Sequence, residues 1–420
     1  MLSVMVPTPV PHSIMSFEDA RHCVEEHAAG LRPGATEPVE LIAAQGRVLA
    51  EPVLADRDIP PFPRSTRDGY AVRSADLSQL PTTLKVIGEV KAGESIERIP
   101  ARINPGQAVS IMTGALVPNG ADAVVMVEFT TRGADRVEIS RSVAAGENVV
   151  PRGAEAKEKS VLLEKGSRLN EAAIALAASV GKSELPVYRP PRVAVLTTGD
   201  EIVEINASPG PTQIRNSNSY SLAVQIRNAG AEPLLLPIAP DEPKHLRALI
   251  EEGLQADLLL ITGGVSMGRY DLIEPVLAEM RAEFFFTGAK IQPGRPVVFG
   301  RAASRKRSST FFFGLPGNPI STMVTFEQFA RPMIEALSGE LPRKLMFLHA
   351  RLKAEIHVKT GLKRFLPAIL SGEFDRSTVE LIPWQGSGDI AATARANCYI
   401  VVAEDRAHFA AGEWVPVLMR

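Results

Sequence analysis

The chain has 420 residues, of which 45% are hydrophobic and 22% charged, and its formal net charge is −2. That length exceeds one ordinary domain and fits roughly two to four units with separate cores. The near balance of charge excludes a global basic field for holding DNA, RNA or an anionic membrane.

Residues 1–14 are Pro-rich and carry no Lys or Arg ahead of their short apolar positions, so they do not read as a signal peptide. No apolar stretch approaches the roughly 18–20 residues needed to span a membrane. The two cysteines, Cys23 and Cys398, lie almost a whole chain apart and fit a reducing compartment. The expected location is the cytoplasm. No CxxC, HExxH or Cys/His motif occurs among the seven histidines, which argues against a built-in zinc or iron centre.

Ser16 can cap a helix that runs to about residue 29, with Asp19 as the reciprocal acid and Phe17, Ala20, Val24 and Ala28 on one face. A second short helix is predicted over 43–50. From Pro52 short β-type runs alternate with Gly, Pro and Asn turns, which predicts a mostly β unit over 51–144. An Asn-capped, Ala-rich helix follows at 170–181. Helical pieces on both sides make the β unit an insertion into a helical or extended linking domain formed by 15–50 and 145–188.

Over 189–338 strands alternate with amphipathic helices: strands at 192–197, 233–238, 257–262, 284–291, 297–299 and 310–313, and helices at 218–228, 242–254, 272–280 and 319–337. That rhythm predicts a parallel, doubly wound α/β sheet, whose ligands sit beyond the carboxyl ends of the strands. Arg301, Arg305, Lys306 and Arg307 fall in a basic loop, for which a solvated turn is the simpler account. Residues 343–420 read as a small β-barrel with a short helix over 390–396.

Three Gly-rich turns fall at strand ends. Thr198-Gly199-Asp200-Glu201 sets two carboxylates after a strand, and Gly263-Gly264-Val265-Ser266-Met267-Gly268 offers backbone N–H groups to a phosphate. Gly314-Leu315-Pro316-Gly317-Asn318-Pro319 leads into a helix start that leaves N–H groups facing the cleft. Tight turns of no chemical role share these compositions. Lys290 and Arg295, in Lys290-Ile291-Gln292-Pro293-Gly294-Arg295-Pro296, supply cations for an oxyanion, although simple solvation competes. Glu201, Asp241 and Asp271 fall on one predicted rim and suit a hydrated Mg²⁺ bridging phosphates; helix capping is the plainer role for Asp241 and Asp271. Asp68-Gly69 and Thr113-Gly114, alone, are turn signals.

Taken in order, six segments resemble the molybdopterin molybdenumtransferase family, the MoeA and gephyrin E-domain type. Beside the three turns they are Ser65-Thr66-Arg67-Asp68-Gly69-Tyr70-Ala71-Val72-Arg73, Ile111-Met112-Thr113-Gly114-Ala115 and Pro293-Gly294-Arg295-Pro296. The resemblance implies an elongated four-domain homodimer whose α/β unit is similar to the adenylyltransferase acting one step earlier. It implies adenylylated molybdopterin and molybdate as substrates, release of AMP, and Mg²⁺ as the cation. Further partners would be that adenylyltransferase and the recipient molybdoenzymes. It assigns Asp68, Thr113 and Glu201 to catalysis, with Asp68 and Thr113 coming from the partner subunit. Glu201, Asp241 and Asp271 would hold the metal. Gly199, Asp200, Asn218, Gly263, Gly264, Ser266, Lys290, Arg295, Pro316, Gly317 and Asn318 would bind substrate.

The pattern is broken at Gln292, where the family commonly has Lys, at Ala391 and Ala392, where hydroxyl residues are usual, and at Pro367, where Arg is frequent. These departures bear on which cations hold the oxyanion. Two other readings stand beside molybdenum insertion: adenylyl transfer to molybdopterin, and a non-catalytic pterin-binding scaffold.

Overall fold

The computed structural model describes residues 13–264 and 272–420. The N-terminal helix Phe17–Ala29 begins as the capping pattern predicts, with the Asp19 N–H donating to Ser16 Oγ at 3.0 Å. Its buried face, Phe17, Ala20, Val24 and Ala28, does not pack on the Ala-rich helix Glu171–Ser179. It joins the core of the wound sheet, where the Phe17 ring centroid lies 6.1 Å from that of Phe329 and 5.6 Å from that of Phe365. The strand Ile14–Met15 pairs parallel to Gly288–Ala289 and anchors the same end.

The predicted helix over 43–50 is absent. A single 3₁₀ turn, Ile42–Ala44, occupies its start, and Val48 and Leu49 make bridges to Arg168 and Val187. Ala-rich composition is a weak prior, and pairing across the chain overrides it.

Three antiparallel ladders mark the insertion. Thr36–Glu40 pairs with Glu184–Tyr188, Val53–Leu54 with Val161–Leu163, and Arg64–Ser65 with Val149–Val150, each nested inside the last. Beyond the innermost ladder lies a six-stranded sheet built from Gly69–Val72, Thr82–Val90, Gln107–Ile111, Ala123–Met126, Thr130–Arg132 and Arg136–Ile139. Its two faces carry separate apolar clusters, one around Tyr70 and Val125 and the other around Ile103 and Ile111.

The wound sheet runs Glu232–Leu235, Arg192–Thr197, Leu258–Thr262, Thr310–Leu315, Val298–Ala302 and Glu283–Phe286 in spatial order. The first four strands are parallel; Val298–Ala302 runs against them, and Glu283–Phe286, antiparallel to Val298–Ala302, runs with them again. The connection from Val298–Ala302 to Thr310–Leu315 is only a short loop, too short for a crossover helix, so those strands form a hairpin instead of extending the parallel pattern. Arg301, Arg305 and Arg307 of this basic segment pair with Glu283, Glu251 and Asp257. The predicted strand over 284–291 divides into Glu283–Phe286, Gly288–Ala289 and Ile291–Gln292. The helix over 319–337 is continuous but contains a π-helical turn, Phe326–Ala330.

The C-terminal strands Phe347–Leu352, Lys363–Ser371, Thr378–Leu381, Cys398–Val402 and Trp414–Met419 close on themselves into a barrel, because Lys363–Ser371 pairs with both Thr378–Leu381 and Cys398–Val402. Ile291–Gln292 adds to the barrel strand Lys363–Ser371 in parallel. That pairing fixes the barrel against the strand ends of the wound sheet. Among the described residues no helix is long and apolar enough to cross a membrane.

Candidate active site at the strand ends

The register of the parallel sheet sets Thr197, Thr262 and Leu315 side by side, so three turns leave the sheet at one level. Gly263 sits at φ +95°, and a Cβ there would lie 2.5 Å from the Thr198 carbonyl oxygen. Only glycine lets the two turns approach this closely. On the other side, a Cβ on Gly317 would lie 3.5 Å from the Gly263 Cα. The turns beginning at Thr198, Gly263 and Pro316 are thus packed against one another.

Asn218 fastens them. Its Nδ2 donates to Thr262 Oγ1 at 3.0 Å and to the Gly317 carbonyl at 2.7 Å, while Thr262 Oγ1 donates to the Pro316 carbonyl at 3.1 Å. The residue is buried, and its Oδ1 has no hydrogen-bond partner among the described residues. A buried acceptor is costly to leave open, so this atom suits a donor from beyond the described residues.

Gly199, at φ +135°, turns the chain so that the Glu201 carboxylate folds back over it; a Cβ on Gly199 would meet Glu201 Oε2 at 2.7 Å. Asp200 and Glu201 are both exposed. Asp200 Oδ1 accepts the Asp241 N–H at 3.0 Å, which ties the turn holding Asp241 to the turn holding Glu201. Asp241 is not the cap of the following helix: that helix, Pro243–Gly253, has Glu242 at the cap position. Asp271 and Ser266 lie outside the described residues. Among the described residues Glu201 and Asp241 do not belong to any cluster of three metal-ligating side chains.

Arg295, Pro316 and Asn318 share a groove of about 510 Å³ with Gln292, Lys359, Arg364 and Trp384. Lys290 is exposed and is not among the residues lining it. Arg364, whose burial pushes its pKa down, donates to the Lys359 carbonyl at 3.0 and 2.6 Å and so fixes the loop bearing Lys359. The barrel therefore contributes cations that sequence reasoning missed. Its only sequence signal was Gln292, which left the expected Lys unaccounted for. The helix start at Asn318 is less open than predicted, because the Ile320 N–H donates to the Ser387 carbonyl of the barrel at 3.0 Å.

A larger cavity, about 580 Å³, lies elsewhere, lined in part by Arg21, Glu327, Arg331 and Glu335. Arg331 pairs with Glu327 at 2.8 Å and with Glu335 at 2.9 Å, so its charge is already matched. The smaller groove has Arg295, Lys359 and Arg364 in its lining and, among the described residues, no carboxylate to compete with an oxyanion, whereas Glu327 and Glu335 line the larger cavity.

Asp68 and Thr113 come together on the inserted sheet. Asp68 Oδ1 accepts the Thr113 N–H at 2.6 Å and the Thr113 hydroxyl at 2.7 Å. The Thr113 N–H, then its hydroxyl, hold the Asp68 carboxyl below the usual carboxylate range. Both residues are exposed, and no strand of the inserted sheet pairs with the wound sheet among the described residues.

Family models match three successive stretches: the MoeA N-terminal region (domain I and II) over residues 15–181, a probable molybdopterin binding domain over 194–336, and the MoeA C-terminal region (domain IV) over 349–419. The molybdopterin molybdenumtransferase of Haemophilus influenzae is 35% identical over 391 residues, covering 92% of this chain and 94% of that protein. That of Bacillus subtilis is 33% identical over 398 residues, with 92% and 90% covered. A crystal structure of the molybdopterin biosynthesis moeA protein from Pyrococcus horikoshii OT3 superposes with a TM-score of 0.77 at 27% identity, covering 97% of this chain and all of that one. With its four-part architecture and a cationic groove at the strand ends, the chain belongs to the molybdopterin molybdenumtransferase family.

Proposed function

We propose that this chain inserts molybdenum from molybdate into adenylylated molybdopterin, with release of AMP. The observation that carries the reading is the three-turn platform, where buried Asn218, its Oδ1 unpaired among the described residues, stands beside a groove lined by Arg295, Lys359 and Arg364. Such an acceptor suits the N–H donors of a pterin. The guanidinium of Arg295 and the ammonium of Lys359 suit a tetrahedral dianion or a phosphate.

Glu201 and Asp241 present hard carboxylate oxygens on neighbouring turns, a donor set that Mg²⁺ accepts when substrate oxygens complete it. Bound there, the cation would neutralise charge on the phosphate oxygens. The work left to the chain is positioning: the glycine turns bring backbone close to the phosphates, and the cations orient the oxyanion.

Asp68 and Thr113, exposed on the insert, complete the site from a second copy in a homodimer. Mixing two inactive variants tests this directly. Asp68→Asn and Arg295→Ala chains, unfolded and reassembled together, should regain about a quarter of the native activity, because half of the randomly formed dimers carry one intact site of two. No recovery on mixing would refute a shared site.

Supplying adenylylated molybdopterin with molybdate should yield AMP and protein-held molybdenum, whereas molybdopterin with ATP should not be consumed. The opposite outcome would assign the preceding adenylyl transfer. Consumption of neither would assign a scaffold.

A further inference from the structure

The barrel carries a second group of ligating side chains, outside the groove. Glu355, His357 and His408 each present one ligand atom, all within 4.8 Å of one another. No motif announces them, since a long stretch of sequence separates His408 from the other two. They meet because the short strands Ile356–His357 and His408–Phe409 pair antiparallel, with His357 directly opposite His408. Directly opposed residues project from the same face with Cβ atoms about 4.5–5.5 Å apart. The two imidazoles accordingly stack, with ring centroids 4.5 Å apart and planes 25° from parallel.

The same pairing sets Ile356 opposite Phe409, and both are buried in the barrel core. Successive side chains alternate between faces, so this apolar pair anchors the ladder while both histidines stay outside. Glu355 Oε2 lies 3.5 Å from His357 Nε2 and 3.3 Å from His408 Nε2. The nearby Arg406 is engaged by Glu413 at 2.7 Å and stacks over the Phe409 ring at 4.3 Å, which fixes the turn leading into His408.

We propose that Glu355, His357 and His408 form a binding site for a borderline divalent transition-metal ion, Zn²⁺ or Cu²⁺. Two imidazole nitrogens and one carboxylate make a three-ligand set that leaves further positions open to water. Imidazole donors select such ions over Mg²⁺ and Ca²⁺, which prefer oxygen. Geometry already brings both Nε2 atoms to one carboxylate oxygen, so small side-chain rotations suffice to gather the three ligands on one ion. The site is independent of the strand-end platform: none of its residues lines the groove.

The test is a Zn²⁺ titration of the chelator-stripped full-length chain by calorimetry, in excess Mg²⁺ so that carboxylate-only sites are occupied. One equivalent of Zn²⁺ should bind. His357→Ala and His408→Ala should each weaken it about tenfold or more, and the double variant should lose that equivalent. All three side chains are exposed, so the variants should keep the native circular dichroism. Cu²⁺ bound to the unaltered chain should show hyperfine coupling to two nitrogens by electron paramagnetic resonance, a readout that needs no variant. A full equivalent retained by the double variant, no Zn²⁺ bound by the native chain, or displacement by Mg²⁺ would each overturn the proposal.

Discussion

Replacing Gly263 by alanine tests the close approach on which the strand-end platform depends. Two costs are legible. At φ +95° a side chain is strained by about 1–2 kcal/mol. The new Cβ would also sit 2.5 Å from the Thr198 carbonyl oxygen and 3.0 Å from its Oγ1, well inside the roughly 3.5–4.0 Å of ordinary contact. Thr198 cannot easily withdraw, because its N–H donates to the Thr262 carbonyl at 3.0 Å and it bridges to Ala239. Forced repacking of this kind costs about 1–3 kcal/mol, for a total of about 2–5 kcal/mol. Gly46→Ala isolates the first cost, since Gly46 has φ +76° and nothing within 4 Å of its would-be Cβ. Hydrogen exchange read by mass spectrometry should show the Leu258–Thr262 amides opening at least about thirtyfold more often in Gly263→Ala, at about 1.4 kcal/mol per tenfold. Gly46→Ala should change its own segment less. The reasoning fails if Gly263→Ala costs no more than Gly46→Ala. Because Gly317 packs on Gly263, the same variant should also lose AMP binding.

Other consequences follow from the side chains around the platform. Asp68→Asn keeps an oxygen acceptor for Thr113 but removes the charge, so molybdenum insertion should fall about 10²–10⁴-fold with unchanged circular dichroism; unaltered turnover would remove Asp68 from the chemistry. The Asp68 carboxyl should titrate below the ordinary carboxylate range by NMR, and Thr113→Val, which keeps the backbone donor, should raise the midpoint only partway. The sign is fixed by the donors favouring the ionised form: the Asp68–Thr113 contact is present above the ordinary carboxylate value and is lost as pH falls through the lowered one. Lys359→Ala should weaken AMP or molybdate binding about tenfold in calorimetry, whereas Lys290→Ala should leave it nearly unchanged, because only Lys359 lines the groove. Burial pushes the Cys398 thiol up to about 11, so at pH 8 a thiol reagent should leave Cys398 unlabelled in the native chain and modify it on unfolding.

The platform was readable in sequence because glycine and proline must stand where backbones crowd. Gly199, Gly263 and Gly317 declared their turns before any contact was known. The helix at Asn218 was legible from apolar periodicity, but its bridging role was not, since that depends on the Gly317 carbonyl a hundred residues away arriving within 2.7 Å. Lys359, Arg364 and Trp384 were invisible as site residues for a similar reason. Nothing in their own segment says that the barrel strand adds to Ile291–Gln292; only the folded pairing brings them to the groove. Local pattern also misled at 43–50, where helix-forming composition lost to bridges with Arg168 and Val187. The histidine pair on the barrel escaped motif reading because a cross-strand ladder, not sequence spacing, assembles it.

The nested ladders at the root of the insert have a consequence for how the chain is made. The first strand of the outermost ladder leaves the ribosome long before its partner, and must wait while everything between them is synthesised. Closing so long a loop costs less entropy if the intervening segment has already collapsed into its own sheet. The order is then inside outward: the insert condenses first, Arg64–Ser65 finds Val149–Val150, and the outer rungs zip toward the host. A lesion in the insert would therefore delay a region it never touches, and a nascent-chain protease assay should find 36–40 protected last.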